Sequence, residues 1–116
     1  MSVPVGGVDL RVLAGELLAR ASVSSSGRAR HVFHGSSGGV LSQVLLALAA
    51  DRWLAEHENP GEAFLHVLVG CVRLSAGEEV WELGPDGHVV IPQRRHGLFA
   101  LRDSVVLLTI AKTSRP

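Results

Sequence analysis

The chain has 116 residues, 47% of them hydrophobic and 19% charged, which suits one globular domain with one core and leaves no room for two. It excludes a disordered chain, which would carry far fewer apolar residues, and an internal disulfide framework, because Cys71 is the sole cysteine. Eleven basic residues balance eleven acidic ones, and the arginines are scattered from Arg11 to Arg115, so no basic face marks a nucleic-acid partner or a polybasic membrane contact.

The first predicted element is a helix over Asp9 to Ala21. Leu10, Leu13, Leu17 and Ala21 recur at spacings of three and four, which places them on one stripe. Asp9 is its expected N-cap, since a carboxylate there accepts otherwise unpaired backbone N–H groups. Gly15 inside the helix costs about 1 kcal/mol relative to Ala, so tertiary packing must support it. Ser22 to Gly27 ends it.

Beyond Gly27, short apolar stretches alternate with turn residues. Arg28 to His34 precedes Gly35-Ser36-Ser37-Gly38-Gly39. Phe64 to Leu74, Val80 to Leu83, His88 to Ile91, Leu98 to Leu101 and Val105 to Ile110 follow, each set off by Gly, Pro, Asp or Ser. Strands recurring roughly every ten residues with turn signals between them predict an all-β sandwich or barrel. Asp86-Gly87 is a strong turn signal, because both residues tolerate positive φ. Val40 to Ala50 is ambiguous by itself: its Leu and Ala favour a helix, but a strand buried on both faces would read the same way.

The middle of the chain resembles a cupin. Asp51 stands at the position of that family's first-motif glycine. His57-Glu58-Asn59-Pro60-Gly61-Glu62 leads into Phe64-Leu65-His66-Val67-Leu68-Val69-Gly70. Asp86-Gly87-His88-Val89-Val90-Ile91-Pro92-Gln93-Arg94-Arg95-His96 resembles the second motif. The ending from Ala100 to Lys112 is similar to that of small bacterial single-domain cupins. The resemblance implies a small jelly-roll β-barrel, with residues 1–27 as helix and linker and residues 28–116 as the barrel. It also implies that Val40 to Ala50 is a strand, against its propensity, running toward the motif histidine within the sheet that carries the motif residues. Asp51 and Asp86, standing where glycine is usual, are expected to accept left-handed turns.

The resemblance implies a ligand set of three His and one Glu. This chain has His57, Asn59, Ala63 and His96 at those positions. Asn offers a neutral amide oxygen and Ala no donor. His57 and His96 therefore read in two ways. They could hold a divalent transition metal such as Fe, Mn, Ni or Zn, with a third ligand still needed, or they could be polar residues lining a pocket for an organic molecule. Glu62 lies one residue before the family's Glu, which on a strand turns it to the opposite face. Gln43 is a further pocket candidate if it faces inward.

Other residues read as structural. His66, three after Ala63, belongs to the other strand face. His31 and His34 point opposite ways on a strand. Cys71 has no neighbour that would activate a thiol. Arg94 and Arg95 could draw an acidic ligand to the barrel mouth, or simply form a solvated turn. Gly35 to Gly39 lacks the Lys-Ser/Thr ending of a phosphate loop.

The longest apolar run, Val44 to Ala50, falls far short of the roughly 20 residues that span a bilayer. The N-terminal residues show no basic segment followed by a long apolar stretch, so no secretion signal is expected. With one free thiol, the expected setting is the reducing cytoplasm. The functional expectation is a small-molecule-binding barrel whose pocket contains His57, Asn59, Gln43 and His96. The alternative is a metal-dependent enzyme of oxygenase or isomerase type with a reduced ligand set. A homodimer is expected as well, because the apolar stripe of the helix must dock on an outer sheet face of its own chain or of a neighbour.

Overall fold

Asp9 begins the first element. Its Oδ1 accepts hydrogen bonds from the Arg11 and Val12 N–H groups at 3.0 and 3.2 Å, which starts helix α1 (Leu10–Val23). The computed structural model describes residues 7–33, 39–57 and 61–111. The predicted stripe lies on the buried face of α1, with Leu17 and Ala21 buried and Leu10 and Leu13 partly buried at its start, and Ala14 joins them as a buried residue outside the predicted set.

Among the described residues nine strands follow: β1 (Arg28–Val32), β2 (Leu41–Leu48), β3 (Trp53–His57), β4 (Ala63–Val69), β5 (Val72–Ala76), β6 (Glu79–Leu83), β7 (His88–Val90), β8 (His96–Ala100) and β9 (Ser104–Ala111). They form two antiparallel sheets, ordered β1-β2-β9-β4-β7 and β3-β8-β5-β6. One core lies between the sheets, around Leu46, Leu65, Val67, Leu74, Leu98 and Val106. A second lies on the outer face of the five-stranded sheet, where α1 covers Leu45, Ala47 and Val105. The fold is a small all-β jelly-roll barrel with one helix laid on its wall.

The ambiguous segment is a strand for a physical reason. Leu45 and Ala47 face α1, whereas Leu46 faces the other sheet. With apolar groups needed on both faces, the strand loses the alternation that would have marked it. Two details differ from expectation. The strand stops at Leu48 instead of running toward His57. At Asp51, φ is 67°, and the chain turns into β3, which belongs to the other sheet. His57 and His96 thus lie in the four-stranded sheet, whereas β2 shares the five-stranded one with β4 and β7, which carry the motif residues 63–69 and 88–90 as expected.

The apolar stretch from Phe64 to Leu74 is likewise two strands in different sheets. It breaks at Gly70, where φ is 88°. A Cβ there would run into the Asp103 carbonyl oxygen and the Ser104 hydroxyl. The buried Ser104 hydroxyl secures this crossing. It accepts from the Cys71 N–H at 3.0 Å and has the carbonyl oxygens of Arg102 and Cys71 at 2.7 and 3.1 Å as acceptors. The predicted left-handed turns are present at Asp51 and at Asp86 (φ 65°), and the short side chain of Asp suits that conformation better than most.

Candidate functional site

His96 opens β8 and is 3% exposed. Its Nδ1 lies 2.8 Å from the Arg94 carbonyl oxygen. A carbonyl can only accept, so Nδ1 carries the proton, and in the neutral ring the lone pair belongs to Nε2. A ring held this way by its own backbone is oriented as a ligand-binding imidazole needs to be. Around it, Leu54, Leu65, Leu74, Leu98 and Leu108 help to line a cavity with about 50 Å³ open to water. His96 is the one polar side chain among its described lining residues.

This cavity adjoins a wider cleft of about 620 Å³. Leu54, Leu108 and Ile110 border both. The cleft follows from the topology, because β1 is an edge of one sheet and β3 an edge of the other, and neither pairs with the other. At that seam the inner faces of β1, β2 and β9 stand against Leu54 of β3.

The structure places the expected site residues as follows. His57 and His96 are direct backbone partners across β3 and β8. An irregularity lies between Leu54 and His57, where three steps along β3 match two along β8. The extra residue is what brings His57, rather than Glu56, opposite His96. The His57 side chain and all of Asn59 lie outside the described residues. Ala63 is buried and Glu62 is exposed, as their opposite strand faces require.

Gln43 does not line either space. It shares the outer face of β2 with Leu45 and Ala47, and its Nε2 donates to Thr109 Oγ1 at 3.1 Å. The inward reading fails on parity, since the residues that face inward on β2 are even-numbered. Arg94 forms an ion pair with Glu79, and both are well exposed. His66 lies on the outer face of β4, 3.3 Å from Asp86.

Among the described residues, no three His, Cys, Asp or Glu side chains are grouped so as to hold a metal ion. The described lining is hydrocarbon plus one imidazole, and Ala63 contributes no donor. A metal centre wants at least three protein ligands, so these residues alone do not fit one.

Arg28 and Arg30 belong to no motif, yet both line the cleft. Strand alternation applied to Arg28-Ala29-Arg30 would have separated two cations on one face from an apolar residue on the other.

The sequence matches no protein-family model and no curated protein. Solved structures do match. The fold is similar to that of a cupin superfamily protein from Desulfitobacterium hafniense, with a TM-score of 0.71 and 15% identity, covering 80% of this chain and 87% of that one. It is also similar to a cupin-2 domain containing protein from Shewanella frigidimarina, with a TM-score of 0.69 and 11% identity over 96% of this chain and 100% of that one. A salicylate 1,2-dioxygenase from Pseudaminobacter salicylatoxidans matches at a TM-score of 0.72 and 16% identity, over 86% of this chain and 33% of its own. At these identities the likeness is one of fold. With two antiparallel sheets, a left-handed turn before the first motif strand and His57 paired to His96 on adjacent strands of one sheet, this chain has the cupin fold.

Proposed function

We propose that this protein is a small-molecule-binding cupin barrel. The observation that carries the reading is His96: an imidazole fixed through Nδ1 and the one polar side chain among the described residues lining a cavity that adjoins a wider cleft. Apolar walls with a few placed polar groups are the usual make-up of a small-molecule site. Native mass spectrometry of protein purified without a His tag tests it. A co-purifying organic molecule lost in Leu98→Trp, which fills the cavity, supports the reading. A molecule retained unchanged in that variant rejects it.

A second reading is favoured by the cross-strand pairing of His57 with His96 and by the dioxygenase among the fold neighbours. It makes the protein a metal-dependent enzyme of oxygenase or isomerase type, with His57 and His96 as ligands. Its mark is near-stoichiometric Fe, Mn, Ni or Zn that disappears in His57→Ala.

A homodimer remains part of the proposal on changed grounds. The stripe of α1 is covered by its own sheet, so it no longer calls for a neighbour. Phe64 and Val90 instead supply the motive. They are register partners on β4 and β7 and are 41% and 59% exposed. Light scattering at micromolar concentration should return twice the chain mass, and Phe64→Lys should return one.

A further inference from the structure

Edge strand β1 presents charge where its neighbours present hydrocarbon. Arg28 and Arg30 are register partners of Leu48 and Leu46 on β2. Directly opposed residues of an antiparallel pair share a face, and Leu46 belongs to the core between the sheets. Both arginines therefore stand on the inner face of the barrel wall, whereas Ala29 between them packs toward α1. Among the described residues, neither arginine has an acidic partner, and no acidic side chain is among those that line the cleft. Past them the wall is Val44, Leu46, Leu108 and Ile110, and beyond Leu108 and Ile110 lies the cavity of His96.

We infer that the cleft takes an organic anion, specifically a carboxylate on an apolar body. Arg28 and Arg30 hold the carboxylate at the seam between the sheets, and the apolar part lies along Val44, Leu46, Leu108 and Ile110. Residues two apart on a strand are about 7 Å apart, so two guanidinium forks can reach a single carboxylate, the anion whose planar geometry matches theirs. The volume of the cleft suits an organic acid rather than an inorganic ion. This inference rests on the binding reading and names the class of ligand.

Calorimetric titration of the full chain with octanoate and with octan-1-ol tests it, because the two probes share an apolar body and differ in charge. Arg28 and Arg30 are exposed, so wild type should bind octanoate more tightly by roughly tenfold at most, the worth of two exposed charge contacts. Arg28→Gln with Arg30→Gln should bring octanoate down to the affinity of octan-1-ol and leave the alcohol unchanged. Arg28→Lys with Arg30→Lys should keep most of the preference. Added salt should weaken octanoate alone.

A double Gln variant that binds octanoate as wild type does overturns the inference. The arginines would then be inward charges guarding an edge strand against pairing, and the binding reading would stand on the alcohol. Wild type that binds neither probe also overturns the inference, and the binding reading is then decided separately by the co-purified molecule.

Discussion

The five-stranded sheet supports a different kind of core on each face. Against α1, Ala14, Leu17, Ala21, Leu45, Ala47 and Val105 are all 1% exposed or less. On the inner face, Leu46, Leu65, Val67 and Val106 are 5% exposed or less, but at one end of it Leu108 and Ile110 stay half-buried beside a cavity and a cleft. The same two strands, β2 and β9, serve both. A close-packed core has no space for a ligand, and a hollow one loses dispersion contacts along its lining. Dividing the two roles between opposite faces lets the helix side hold the strands in place while the barrel side keeps room near His96.

The largest expected effect is on the packed side. Leu17→Ala should destabilise the fold by about 3 kcal/mol, because a fully buried leucine leaves both lost transfer energy and a residual cavity. Equilibrium urea unfolding measures it, and a loss below that of Leu108→Ala would break the comparison. Ser104→Ala comes next, at about 2 kcal/mol, since it strips the Cys71 N–H of its partner where the chain crosses between sheets. Hydrogen exchange should show Cys71 losing protection first.

On the hollow side, Leu108→Ala should cost only about 1 kcal/mol, because its side chain already borders open space and little transfer energy is lost. The cavity should widen, with tighter seating of a bulkier apolar probe by calorimetry. The smallest effect is at a turn that serves neither core. Asp51→Gly should stabilise by about 0.5 kcal/mol, because glycine carries no Cβ penalty at a φ of 67°. A loss of stability there would mean that the Asp51 side chain contributes something the backbone conformation does not require.

The same division explains which parts of the protein could be read in advance. α1 was legible because its one-sided burial leaves a period in the sequence, and Asp9 is a local cap. The turn at Asp86 was legible because Asp86-Gly87 favours it by residue type, and the left-handed Asp51 was implied by its place at the cupin motif's glycine. β2 was not legible from its own residues, since burial by α1 on one face and by the other sheet on the opposite face erases the alternation. β3 was missed because Trp53 to His57 is short and follows a turn built on Asp51 rather than on glycine or proline. In the candidate site, His96 could be singled out by its motif, whereas Gln43 could not be assigned a face without the register of β2.

The sequence by itself determined the class of fold, the helix and its buried stripe, and the turn at Asp86-Gly87, which are properties of residue type and short-range spacing. Its resemblance to cupins implied the turn at Asp51 and the departure of Asn59 and Ala63 from a full ligand set. Tertiary structure alone decided the rest. It set His57 opposite His96 through one extra residue in β3, turned Gln43 outward onto Thr109, and stationed Arg28 and Arg30 at an open seam. Each of these depends on strand register, which shifts every side chain to the other face when it slips by one residue and which only pairing between distant segments can establish.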